Sequence, residues 1–267
     1  MTSRARVRQG ELAYERAGSG RPVVLLHAGV LDRSQWDVEF AVLAGGHDVV
    51  RLDARSHGES STRPAGEFTS TEDLAGLLDH LGLDRVTLVG LSLGARTAID
   101  FALRAQERVA AMLLVGPGYS GMEFSDPYVL ACLAEIDRAV AARDAGALLE
   151  ALLRVWVDGP HRAPEQVGVE VRARCAAMAR GTLLRHAGSA GTVVEVGAGG
   201  RFGELAMPVD VVVGDLDSTD ILRAAERLRG EAADARLVTV PGAGHMVNLD
   251  RPEAFGAALE SFLARTA

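Results

Sequence analysis

Lysine is absent from this 267-residue chain: all 28 basic side chains are arginines. They are scattered rather than gathered into a stripe, and against 36 acidic residues they leave a net charge of −8 and a pI near 5.4. That balance lacks the electrostatic footprint of a nucleic-acid-binding protein. Cysteine is nearly absent. Cys132 and Cys175 lie far apart with no metal-ligand spacing, which argues for reduced thiols packed in helices rather than a disulfide framework or a zinc site. No stretch approaches the roughly 18 to 20 uninterrupted apolar residues of a spanning helix, and the opening "MTSRARVRQGELAYERAG" has no apolar h-region. A cytoplasmic protein with no membrane partner is expected. Aromatic residues make up only 4%, so those that fall together carry weight.

What is present is apolar residue, 48% of the chain, enough for one sizeable core. "RVRQG" and "ELAYERAG" alternate about a Gln-Gly turn, the pattern of a short antiparallel hairpin. "RPVVLLHAG" is a continuous apolar run of strand length, the mark of a buried parallel strand. Helix-like and strand-like segments then alternate: "SQWDVEFAVLA", "HDVVRLDA", "TSTEDLAGLLDHLG", "RVTLVGL", "GARTAIDFALRAQ", "RVAAMLLVG". Regular alternation predicts a parallel sheet with helices on both faces. From about 118 to 200 the strands stop and an alanine-, leucine- and arginine-rich helical segment of roughly 80 residues intervenes, ending in a glycine-rich linker. The alternation resumes with "VDVVVG", "TDILRAAERLRG", "ARLVTVPG" and "RPEAFGAALESFLART".

One motif bears chemistry. Gly90-Leu91-Ser92-Leu93-Gly94 sits at the junction of a predicted strand and helix, where a tight turn would lift the serine hydroxyl above the sheet. The spacing alone is weak, since 30 glycines and 13 serines would produce it by chance with a probability of roughly 0.15. A serine needs a base and an orienting carboxylate to become a nucleophile. Of seven histidines only His245 lies late in the chain, just past a predicted strand end and at the same sheet edge as Ser92. His47, His57, His80, His161 and His186 read as surface or loop residues. The loop after "VDVVVG" offers two carboxylates, Asp215 and Asp217, and their spacing of two does not choose between them.

These segments, with "HAGVLDRSQW", "LDARSHGES" and "GAGHMVNLDRPEAF", resemble the α/β-hydrolase superfamily over essentially the whole chain, in its Ser, acid, His order. The resemblance is to its serine-nucleophile branch and, more loosely, to small esterases and 3-oxoadipate enol-lactonases. It implies an α/β fold with a mostly parallel eight-stranded sheet, helices on both faces and an inserted helical cap. A single domain would have its core at about 1–117 and 201–267 and its cap at about 118–200. The family's G-x-x-D pattern matches Gly214 to Asp217, making Asp217 the implied acid and Asp215 the fallback. Ser92 would be the nucleophile and His245 the base. Main-chain N–H groups of Leu93 and Gly29 would form the oxyanion hole, although Ala28 stands where many relatives have glycine. His27 and Trp36 would be structural. Val30, Tyr119, Phe124, Tyr128 and Trp156 are candidates to touch substrate, and Arg154, Arg172 and Arg174 could meet an anionic one.

The implied activity is hydrolysis of a small ester, thioester or lactone through an acyl-enzyme, without metal or organic cofactor. Two alternatives share the resemblance: a ligand receptor or signalling protein with little turnover, and a C–C hydrolase or lyase using the same three side chains.

Overall fold

The computed structural model describes residues 1–62, 66–186 and 191–267. The chain opens with the hairpin β1 (Ser3–Val7) and β2 (Gly10–Ala17), turning at Gln9, and continues with β3 (Arg21–Leu26), α1 (Asp37–Leu43) and β4 (His47–Leu52). A two-residue strand β5 (Glu67–Phe68) precedes α2 (Ser70–Leu81), β6 (Val86–Leu91), α3 (Leu93–Arg104) and β7 (Val109–Val115). Then come α4 (Pro127–Ala142), α5 (Ala145–Leu153), a π-turn at Arg154–Asp158, α6 (Val169–His186) and the short β8 (Thr192–Val193). The chain closes with β9 (Val209–Gly214), α7 (Thr219–Glu231), β10 (Ala235–Val240), α8 (Val247–Asp250) and α9 (Pro252–Arg265).

Eight strands form one sheet in the order β1-β2-β4-β3-β6-β7-β9-β10. The first two pairings are antiparallel and the remaining five parallel. This is the mostly parallel sheet that the alternation predicted, with the eight strands that the resemblance implied. Period-two geometry explains why the central strands read as unbroken apolar runs: successive residues serve two cores. Val24, Leu88, Leu114 and Val211 pack on one face with α2, α3 and α7, whereas Leu25, Val89, Leu113 and Val212 pack on the other with Trp36, Phe255 and Phe262. At the sheet edge, β10 reverts to alternating burial.

Local signals place the helix ends. Thr69 caps α2 by accepting the Glu72 N–H at 3.1 Å, and Gly82 ends that helix in the left-handed conformation. Asp126 caps α4 through the Tyr128 N–H at 2.9 Å, with Pro127 in the first turn. Cys132 and Cys175 are buried free thiols in α4 and α6. Burial pushes the Cys175 thiol up to about 12, so it stays protonated and unreactive near neutral pH.

Among the described residues between β7 and β9 no strand joins the main sheet, but the expectation that strands stop there needs correction. Thr192–Val193 pairs in parallel with Glu67–Phe68, extended by Thr192 N–H to Gly66 carbonyl at 2.9 Å and Val194 N–H to Phe68 carbonyl at 2.8 Å. Valine-rich "TVVEV" carried the β-branched signal, but a two-residue ladder depends on a distant partner and has no readable period. The start of the glycine-rich linker, 187–190, lies outside the described residues. Among the described residues no helix is long and apolar enough to cross a membrane.

Candidate active site

The turn from β6 into α3 places Ser92 at φ 54°, ψ −104°, a conformation that costs a non-glycine residue about 1–3 kcal/mol. Neighbouring packing holds it there. The Ser92 N–H donates to the Val115 carbonyl at 2.9 Å, and its carbonyl accepts the Arg96 N–H at 2.9 Å. Glycine on either side is a steric requirement. A Cβ on Gly90 would lie 2.4 Å from the Gly94 carbonyl carbon, and one on Gly94 would lie 2.1 Å from the Leu26 carbonyl oxygen. The G-x-S-x-G spacing therefore records how closely α3 crosses β6 and β3.

His245 follows β10 in a turn packed against the β9 loop, where a Cβ on Gly214 would meet the Ala243 carbonyl at 2.1 Å. The imidazole is 2% exposed, with Nδ1 2.8 Å from Asp217 Oδ2. Asp217 Oδ1 accepts the Ser218 N–H at 2.7 Å, leaving the carboxylate oriented from both oxygens. With Nδ1–H donating to Asp217, Nε2 is the basic nitrogen; it is buried and accepts no hydrogen bond from the described residues. Asp215 does something else. It is exposed and accepts the Gly242 N–H at 2.6 Å, bracing the turn that leads to His245.

Ser92 and His245 line one cavity of about 350 Å³, a size suited to a small ligand. Gly29, Val30 and Leu93 form part of its wall. The N–H groups of Gly29 and Leu93 donate to no acceptor among the described residues, whereas the Ala28 N–H is taken by Gln35 Oε1 at 2.8 Å. Leu93 is the first residue of α3, where the helix leaves its N–H groups open. Val30 has φ 61°, a second strained residue in this wall.

Tyr119, Phe124 and Trp156 also line the cavity. The Trp156 ring lies 5.3 Å from that of His245 and 5.7 Å from that of Phe124, joining the helical segment to the histidine loop. Tyr128 does not line it, a correction to its place among the candidates. Its hydroxyl donates to the Arg154 carbonyl at 2.9 Å and its ring packs with Val129, Cys132 and Val155, because the α4 turn that carries it faces the π-turn. Nor do the three helical-segment arginines reach the cavity. Arg172 is 2.9 Å from buried Asp158, Arg154 flanks the same carboxylate, and Arg174 binds the Ser34 carbonyl and Asp37. Trp36 is wholly buried against Phe255, and His27 accepts the Ala54 N–H, so both serve the scaffold.

Three titratable wall residues escape a reading of the sequence. His57, expected on a loop or surface, lies in a turn but is buried, 5.0 Å from the His27 ring, and faces the cavity. Its place after β4, whose carboxyl end shares the Ser92 edge, was the available signal. Arg96 and Glu195 meet at 2.7 Å on the cavity wall, although 99 residues separate them. Arg96 stands one helical turn beyond Ser92, which sequence could have flagged; Glu195 had no such cue.

Comparison with known proteins gives a consistent picture. Residues 21–252 match a family model described as the alpha/beta hydrolase fold. A Bacillus subtilis protein named "Putative 2-succinyl-6-hydroxy-2,4-cyclohexadiene-1-carboxylate synthase" is 28% identical over 94% of this chain and 93% of its own. A Pseudomonas putida 2-hydroxy-6-oxononadienedioate/2-hydroxy-6-oxononatrienedioate hydrolase is 36% identical over 47% of each chain. Among solved structures, the enol-lactonase of Burkholderia xenovorans superposes with a TM-score of 0.74 at 25% identity, covering 98% of this chain and 100% of that one.

Proposed function

The chain belongs to the alpha/beta hydrolase fold family, and from that premise we propose a serine hydrolase that cleaves a small carboxylic ester, thioester or lactone. Ser92 attacks the carbonyl while His245 Nε2 takes its proton, then returns it to the leaving group; Asp217 holds the imidazole tautomer and stabilises the imidazolium. The Gly29 and Leu93 N–H groups receive the oxyanion, each worth on the order of 10²- to 10³-fold in rate. Water then repeats the cycle on the acyl-enzyme. The helical segment, about 118–200, acts as a cap whose Phe124 and Trp156 exclude water from the reacting carbonyl.

The observation that carries this reading is the state of His245. Its Nδ1 is held by Asp217 at 2.8 Å, while its Nε2 accepts no hydrogen bond from the described residues and faces the cavity that a strained serine also lines. The local match to a C–C bond hydrolase favours a second reading, carbon–carbon cleavage by the same side chains.

Intact mass after treatment with a small fluorophosphonate tests the site without knowledge of the substrate. A single adduct is expected, absent in Ser92→Ala, and that variant should retain less than about one part in 10⁴ of turnover. A Ser92→Ala protein keeping a tenth of the activity overturns the assignment. Panels of esters, thioesters, lactones and vinylogous 1,5-diketones then separate acyl transfer from C–C cleavage.

A further inference from the structure

We propose that Arg96, with Glu195 as its resident competitor, is a carboxylate subsite one helical turn from Ser92. The preferred substrate is accordingly an acyl compound bearing a second carboxylate a few carbons from the scissile carbonyl. This rests on the serine-hydrolase reading and adds the substrate's charge to it.

The position comes first. Residues four apart on α3 lie on one face with roughly 5–6 Å between Cβ atoms, so Ser92 and Arg96 address the same cavity from neighbouring turns. Among the described residues lining that cavity, Arg96 is the only permanent cation. Most of the remaining wall is apolar, including Val30, Met122, Phe124 and Trp156, which suits a short carbon chain between two polar ends.

Occupancy of the guanidinium comes second. Glu195 approaches through one oxygen, on Nη1 at 2.7 Å, while its other oxygen accepts the Gly121 N–H at 2.9 Å. The pair is monodentate, whereas guanidinium carries five donors in a fork that suits two acceptors. Elsewhere in this chain arginines do serve two carboxylates. Arg172 lies 2.9 Å from Asp158 and 2.7 Å from Glu150, and Arg265 lies 2.6 Å from Asp210 and 2.8 Å from Asp234. Arg96 hydrogen-bonds one carboxylate and makes no other side-chain hydrogen bond among the described residues, its charge also acting on Asp100 one turn further along α3, and its side chain is 28% exposed. A substrate carboxylate supplies the second acceptor. Glu195 raises the anionic field at the same point, so its charge weakens the subsite even as its contact orients the arginine.

The experiment compares monoethyl glutarate with ethyl valerate, in which a methyl replaces the carboxylate, and with the neutral ethyl 4-carbamoylbutyrate, following proton release. Wild type is expected to favour the anion in kcat/KM by about 10-fold or more over both. Arg96→Gln should bring that ratio to about one, and Glu195→Gln should raise it about threefold or more. Opposite signs separate a subsite from a structural latch, which would lower turnover of all three esters together. Fluorophosphonate labelling of Ser92 certifies each variant as assembled; if Arg96→Gln fails it, the rise in Glu195→Gln still decides. A wild-type ratio at or below one, or a ratio that neither substitution moves, overturns the subsite while leaving hydrolysis intact. Absence of both Ser92 labelling and ester turnover in wild type would instead remove the serine-hydrolase reading.

Discussion

The carboxyl edge of the sheet and the helical segment above it are held by different forces. At the edge, backbone approaches backbone: Gly90, Gly94 and Gly214 admit contacts that any Cβ would block, and the strained Ser92 is held within them. The helical segment is tied down by charged side chains. Asp126 accepts the Thr219 N–H at 3.0 Å and hydroxyl at 2.8 Å, while Asp220 accepts the N–H groups of Ser125 and Asp126, both at 2.8 Å. Arg162 donates to the Val157 and Asp158 carbonyls and lies 2.9 Å from Asp250, which also accepts the Gly244 N–H beside His245. Close backbone packing at the edge is thus steric, whereas the helical segment adds charged tethers to the apolar contacts of Leu153, Val157 and Met178 with the core. That division suits a cavity whose reacting groups must stay registered beneath elements that admit a ligand.

The largest expected effect sharpens the contrast between Asp217 and Asp215. Asp217→Asn should lower kcat by about 10⁴-fold with little change in stability, because the amide disturbs the His245 tautomer. Asp215→Asn should change kcat by less than about tenfold, since its oxygen can still accept the Gly242 N–H. Steady-state kinetics on both variants checks the pair.

Next comes the roof's buried tether. Arg162 and Asp250 are 8% and 3% exposed at their side chains, and removal of one partner strands a buried charge. Arg162→Met should cost about 3–5 kcal/mol in urea unfolding. At the edge, Gly94→Ala should cost about 3 kcal/mol through overlap with the Leu26 carbonyl. Its loss should be the same at pH 5 and pH 8, as no titrating group is involved. A Gly94→Ala loss that changes between pH 5 and pH 8 would break the steric account of the edge.

The smallest effect concerns the other tether. Burial pushes the Asp126 carboxyl up, but hydrogen bonds from Thr219 and the α4 N–H groups outweigh it and hold the acid below its ordinary 3.8; the Ser125 and Asp126 donors do the same for Asp220. A depressed acid stabilises the fold above its unfolded value, and that contribution disappears as pH falls through the folded value. Asp126→Ala should therefore cost about 1–2 kcal/mol at pH 7. The difference from wild type should shrink on acidification below about pH 3.8, as read from melts across pH.

Much of the fold was legible because parallel strands and their helices carry strong local periods. The central strands read correctly since both faces of each are buried, and Thr69, Gly82 and Pro127 mark helix ends by chemistry local to a few residues. Chain order and the family pattern singled out Ser92, Asp217 and His245. The misses share one cause. Tyr128 differs from Phe124 and Trp156 in the direction its helix turn faces, and the His27 ring that packs on His57 lies thirty residues before it in the chain. Glu195 and the β5–β8 pair depend on chain brought from about a hundred residues away or more.

From the sequence alone followed the alternating α/β architecture, the strand-to-helix elbow at Ser92 and the absence of a basic stripe, because each is written in local spacing or bulk composition. Tertiary structure alone decided that Asp215 turns to the Gly242 N–H while Asp217 lies against His245 Nδ1, that the Ala28 N–H is taken by Gln35, and that Arg96 meets Glu195 on the cavity wall. The physical reason is that hydrogen bonds and ion pairs require ångström-scale proximity between groups on different elements, which sequence separation does not encode.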